Sequence, residues 1–204
     1  IMRQRLRWTH IAILAGVVLV TFLAVVLGRT ALYAPVEHRV DLVAQAAIPE
    51  GAAERLAAAI RFATISSADP TDFDGVAFNG LHDHIQASFP RVHAELRRET
   101  VATHSVLYTW PGSDPDLAPI LLAGHLDVVP VESGSEAKWR EDPFGGRIID
   151  GFIWGRGAID NKSTVFGVLE AAETLLNEGF RPARTIYFAF GHDEEVGGRS
   201  GAEH

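Results

Sequence analysis

The most prominent pattern along the chain is a run without polarity. From Ile11 to Leu27 seventeen residues carry no charge, and only Gly16 and Thr21 interrupt the large apolar side chains. At ~1.5 Å per residue a helix of that length reaches about 25 Å, near the lower limit for crossing a bilayer, and flanking residues extend it. Arg3, Arg5 and Arg7 precede the run, whereas Arg29 and Arg39 after it are balanced by Glu37 and Asp41. That asymmetry predicts a cytoplasmic N-terminus, with everything beyond the anchor on the periplasmic or lumenal side. A cleaved signal peptide is the competing reading, but its apolar core is shorter, and Leu32-Tyr33-Ala34 before Pro35 is a poor cleavage site. A helix buried in a soluble core is the remaining alternative.

Beyond the run the periods change. Residues 35–50 are of mixed polarity with Pro35 and Pro49 near the ends and read as a linker. Leu56, Ala59, Ile60 and Ala63 follow Gly51 at helical spacing, and Leu81, Ile85 and Phe89 mark a second helix over about 79–88, stopped by Pro90. Residues 95–110 are rich in β-branched and aromatic side chains and end at a Pro-Gly-Ser-Asp-Pro turn over 111–115. The apolar run PILLAG, 119–124, predicts a central strand covered on both faces. Asp150-Gly151 between Arg147-Ile148-Ile149 and Phe152-Ile153-Trp154 predicts a hairpin with a primed two-residue turn. Val165, Val168, Leu169, Ala172, Leu175 and Leu176 place a helix over 162–178, with Gly179 at its end, before the apolar strand TIYFAF, 185–190. Strands separated by such a helix indicate a βαβ crossover in a layered α/β domain. The organisation is thus an N-terminal tail over 1–10, an anchor over 11–34, a linker over 35–50 and a folded domain over 51–204.

Composition narrows the chemistry. With 47% hydrophobic and 22% charged residues among 204, the chain is an ordinary globular one, and its net charge of -8 argues against a nucleic-acid partner. It has no cysteine, so thiolate metal sites, disulfides and cysteine nucleophiles are excluded, and any metal rests on His and carboxylates.

Three polar clusters follow apolar strands or turns, where open α/β sheets bind their ligands. In Gly124-His125-Leu126-Asp127 the imidazole can ligate a metal through one nitrogen while the carboxylate accepts the other N–H; a hydrogen-bonded structural histidine is the alternative. In Gly155-Arg156-Gly157-Ala158-Ile159-Asp160-Asn161 two glycines free the backbone ahead of a helix start, where Asp160 can bridge cations or serve as an ordinary cap. In Gly191-His192-Asp193-Glu194-Glu195 two adjacent acids end a buried strand; they fit a metal-bound water with a carboxylate base beside it, or a solvated turn.

Together GHLDVVPVE, WREDPFGGRIIDGFIWGRGAIDNK and FGHDEEVGG resemble the peptidase M20 family of zinc carboxypeptidases and aminoacylases, closest to the branch of Gly-Xaa carboxypeptidases and N-fatty-acyl-amino-acid hydrolases/synthases. The resemblance runs from about Ala52 to His204. It implies an α/β fold, a mixed sheet flanked by helices, here an incomplete catalytic domain. It implies two Zn2+ ions per site, with His125 and Glu195 as ligands, Asp160 bridging, Asp127 orienting His125, Glu194 as general base, and a cis Asp160–Asn161 peptide. The implied reaction is hydrolysis of an amide in a small peptide, or cleavage or formation of an N-acyl amino acid. His192 and Asp193 are given no ligand role; Trp139, Pro143 and Phe144 are read as structural.

The family's site needs five protein ligands, so a further acid and a late His are expected downstream of His204, as is the smaller domain that serves in dimerisation. The chain therefore reads as the N-terminal part of a longer protein and is expected to be inactive by itself. Two readings of other kinds remain: a membrane-tethered binding protein that has lost catalysis, and a metallophosphoesterase.

Overall fold

The computed structural model describes residues 2–33, 46–69 and 72–204, and the chain divides into two units, Ile1–Ala46 and Ala47–His204. Most of the linker expected over 35–50 and Ala34 of the anchor lie outside the described residues.

The first unit is one helix, α1 (Met2–Ala31). Within it His10–Ala31 has a mean hydropathy of 2.9 and no buried residue, so it is long and apolar enough to cross a membrane; a signal sequence passes the same test.

The second unit is a mixed α/β fold. It holds α2 (Ala52–Ile60), α3 (Gly75–Ser88), α4 (Pro90–Glu95), β1 (Arg97–Val101), β2 (Ser105–Trp110), β3 (Ile120–His125), β4 (Arg147–Ile149), β5 (Phe152–Trp154), α5 (Lys162–Asn177) and β6 (Ile186–Gly191). The main sheet has the order β1-β2-β6-β3. β1 and β2 form an antiparallel hairpin, β2 is antiparallel to β6, and β3 runs parallel to β6. The expected crossover is therefore β3–α5–β6, with a second small sheet, the β4–β5 hairpin, inserted before α5. Asp150 and Gly151 at its tip have φ of 53° and 80°, the left-handed pair that a primed turn requires.

Local chemistry explains the boundaries. α3 starts four residues earlier than periodicity suggests because the Asp74 carboxylate accepts the N–H groups of Val76 and Ala77. Pro90 stops α3 and also opens α4, where its missing N–H costs nothing. α4 has no cap of its own; Glu173 of α5 accepts the N–H groups of Arg91 and Val92 at 3.0 and 2.9 Å.

Pleating sorts the sheet into two unlike faces. Val106, Tyr108, Trp110, Phe188 and Phe190 point into one core with Phe78, Leu81, Ile85, Phe89, Phe166 and Leu169 from the helices. On the other face Leu107 and Ala189 are only half-buried, and Leu121 is 61% exposed. This corrects the expectation for 119–124. β3 is an edge strand among the described residues, with Ile120 and Leu122 about 40% exposed. An apolar run is compatible with cover on both faces, but cover depends on which other segments pack there, and the described residues leave β3 partly open.

Candidate metal centre

Parallel pairing of β3 with β6 puts His125 level with Gly191, so the first and third polar clusters leave the sheet side by side. The Leu126 N–H continues the ladder to the Gly191 carbonyl at 2.7 Å. On the far side of this turn runs the segment after α2: Thr64 Oγ1 donates to the Leu126 carbonyl at 2.6 Å, Val128 N–H to the Thr64 carbonyl, and Ser66 N–H to the Val128 carbonyl. Asp127 is thereby fully buried.

Its carboxylate organises the centre. Asp127 Oδ1 accepts the Glu194 N–H at 3.1 Å and Oδ2 accepts the Glu195 N–H at 3.0 Å. His125 Nδ1 lies 3.1 Å from the Asp127 carbonyl and 3.3 Å from its Oδ1. Burial pushes the Asp127 carboxyl up, but the hydrogen bonds from His125 and from the two backbone N–H groups outweigh it and hold it below the usual range. Burial pulls the His125 imidazole down, and its bonds to Asp127 and Asp160 more than reverse this, raising it to about 9. The Glu195 carboxyl is raised by burial and by the neighbouring acids Asp160, Asp127 and Glu194, against the pull of His125.

The second cluster arrives over the top. The β5–α5 loop places Asp160 Oδ1 3.0 Å from His125 Nε2, and the Asp160–Asn161 peptide is cis, as the family resemblance implies. Asp160 does not cap α5; the N-cap is Asn161, whose side chain makes no cap bond but reaches β3, where its Oδ1 lies 3.4 Å from the His125 N–H. Gly124 makes that approach feasible, because a Cβ there would stand 2.8 Å from Asn161 Oδ1.

All five residues singled out in the sequence, His125, Asp127, Asp160, Glu194 and Glu195, are thus brought together. Ligand atoms of His125, Glu194 and Glu195 lie within 4.8 Å of one another. Asp160 is outside that group but touches the same imidazole, and Glu194 Oε2 is 3.8 Å from His125 Nε2. One imidazole nitrogen, oriented through its other nitrogen and surrounded by carboxylate oxygens, is a donor set that suits zinc. His192 and Asp193 face away: His192 Nδ1 pairs with Ser105 Oγ at 2.7 Å, and Asp193 Oδ2 accepts the Ser200 N–H at 2.6 Å. A cavity of about 760 Å³ beside them is lined by Ser66, Phe73, His104, His192, Asp193 and Arg199.

Residues with no chemical signature in the sequence complete the frame. The Arg156 guanidinium stacks 5.1 Å from the Trp139 ring and Arg140 5.2 Å from the Trp154 ring, tying the β5–α5 loop to the stretch after Asp127. The Arg156 N–H also donates to the Pro143 carbonyl at 2.7 Å.

Comparison with known proteins finds the family that the motifs resemble. Residues 121–204 match Peptidase family M20/M25/M40. Probable carboxypeptidase S-like 2 of Dictyostelium discoideum is 49% identical over 152 residues, 74% of this chain and 29% of that protein. Carboxypeptidase S of Saccharomyces cerevisiae is 41% identical over 175 residues, 81% of this chain and 30% of that protein. The N-fatty-acyl-amino acid synthase/hydrolase PM20D1 of Mus musculus is 42% identical over 152 residues, 74% of this chain and 29% of that protein. The chain therefore spans about 30% of the length of these relatives. In fold it is similar to human carnosine dipeptidase 1, with a TM-score of 0.59 at 22% identity over 74% of this chain and 33% of that one. A second similar structure is the M20 family metallo-carboxypeptidase Sso-CP2 of Sulfolobus solfataricus, with a TM-score of 0.57 at 22% identity over 73% of this chain and 32% of that one.

Proposed function

The chain belongs to peptidase family M20/M25/M40, and from that premise we propose that it supplies much of a two-zinc centre hydrolysing an amide bond in a small peptide, in the manner of a carboxypeptidase or dipeptidase. The observation that carries this reading is the Asp127 carboxylate, which touches His125 and both N–H groups of the Glu194-Glu195 pair. A buried acid used three times over holds a metal-ligating imidazole and two free carboxylates at one point; a solvated turn or a structural histidine has no need of it.

In the roles we assign, His125, Asp160 and Glu195 hold metal and Glu194 is the general base. Bound zinc supplies Lewis acidity, polarising the scissile carbonyl and acidifying a water. Glu194, with its side chain 59% exposed beside the centre, takes the proton of the attacking water and delivers it to the leaving amine. Asp127 fixes His125 through Nδ1, leaving Nε2 directed at Asp160 and the metal position. The identity to PM20D1 favours a second reading of the same chemistry, in which the amide belongs to an N-acyl amino acid.

The test is made on the full-length protein, with dipeptides and N-acyl amino acids assayed side by side and zinc added or chelated. Amino-acid release should require zinc, and Glu194→Gln should lower it by at least about a thousandfold while zinc content stays near wild type. Turnover retained in Glu194→Gln would remove that residue from the base role.

A further inference from the structure

Lys162 is fully buried at the first turn of α5, two residues after Asp160. Its Nζ donates to the carbonyls of Ala59, at 3.1 Å, and Phe62, at 2.6 Å, at the C-terminal end of α2. No basic residue of α2's own last turn serves those carbonyls, and the negative end of a helix dipole favours a cation there. The stem runs past Gly157, where a Cβ would stand 3.2 Å from Lys162 Cδ; that glycine, at φ +86°, leaves the lysine its path.

Burying an ammonium costs several kcal/mol before its partners are counted. A methionine of similar length would fill the space without that cost, so the head group has a use beyond packing. The connections show what it joins. From Phe62 the chain enters Thr64–Ser66, which is hydrogen-bonded to Leu126 and Val128 on either side of Asp127. Asp127 holds His125, His125 meets Asp160, and Lys162 leads back to Phe62. The ring of contacts around the centre is closed, and Lys162 is its link on the side away from the sheet.

We propose that Lys162 is a positioning residue of the metal centre, fixing the Asp160 loop against the α2 end so that Asp160 and His125 stand at ligating distance before metal arrives. The inference rests on the metal-centre reading above and adds a residue that touches neither metal nor substrate.

The experiment measures zinc affinity of the full-length protein by competition with a chromophoric chelator, alongside thermal unfolding of the metal-free protein. Wild type is compared with Lys162→Met and with Arg55→Met, which breaks a different α2–α5 tie, the Arg55–Glu170 pair. Lys162→Met should remain folded and bind zinc ten- to a hundredfold more weakly, whereas Arg55→Met should lose thermal stability with zinc affinity unchanged. Unchanged zinc affinity in folded Lys162→Met, or an equal loss in Arg55→Met, overturns the proposal. Should Lys162→Met not fold, Lys162→Arg decides, because its planar fork cannot place two donors as the ammonium does. Weakened zinc binding in that folded variant supports positioning; wild-type affinity, or failure of both variants to fold, overturns it. Wild-type protein that binds no zinc would instead sink the metal-centre reading itself.

Discussion

At the scale of single residues, ionisable groups away from the metal centre also leave a measurable trace. His82 on α3 is half-buried, with Nε2 shut from solvent and without a hydrogen-bond partner among the described residues. Burial, helped by Arg98 and His104 and opposed by Asp83 and a bond to the His104 backbone, pulls its pKa down to about 4. The unfolded chain takes up a proton near 6.5 that the native state refuses until about 4. Stability is therefore full above the unfolded value and falls as pH drops from 6.5 towards 4. His82→Gln should flatten urea-unfolding free energies across that window; an unchanged slope would rule His82 out as the source. Other residue roles were partly legible. His125, Asp127, Asp160, Glu194 and Glu195 stand out because polar side chains at strand ends contradict the apolar period. Asp127's hold on the Glu194 and Glu195 N–H groups, and the burial of Lys162, were not legible, since both join segments 67 to 103 residues apart.

At the scale of elements, the α1 span is the part whose meaning depends on surroundings outside the protein. With a hydropathy of 2.9, His10–Ala31 is apolar enough for a signal anchor or a signal sequence, and we propose the anchor, its N-terminus cytoplasmic because Arg3, Arg5 and Arg7 precede it. The expected outcome is a chain that stays in the membrane pellet at high pH in carbonate, with residues after the anchor digested only by protease added on the extracytoplasmic side. Release into the supernatant would replace the anchor with a cleaved signal. Among the other elements, helices and hairpins followed from local pattern, because caps, primed turns and 3.6-residue periods act within a few residues. The hairpin of β1 and β2 was hidden inside one β-rich stretch; the turn that splits it has Ala102 at φ 51° and none of the usual Gly, Asn or Asp. α4 was missed because Glu173, not a residue of its own, caps it.

At the scale of the whole molecule, one face of the sheet and the outer edge of β3 are apolar and open. Leu107, Leu121, Ala123 and Ala189 line a groove of about 240 Å³ that ends at His125 and Glu194. An edge strand with exposed Ile120, Leu121 and Leu122 is a template for pairing with another chain. Residues 47–204 expressed alone should therefore self-associate, and Leu121→Lys should shift the distribution towards monomer in sedimentation velocity without altering the circular dichroism. Equal association in the variant would place the sticky surface elsewhere.

What the sequence determined by itself was everything set by short-range physics and by covalent composition. The apolar span, the α/β periods, the absence of thiol ligands and the family motifs are of this kind, and with the motifs came the names of the five candidate site residues. The tertiary structure alone decided that β3 lies at an edge, that Asp160 meets His125 instead of capping α5, and that one buried carboxylate and one buried ammonium tie the site together. Those outcomes depend on which distant segments come to pair, and a pairing between strands and loops far apart in sequence leaves no periodicity in either partner.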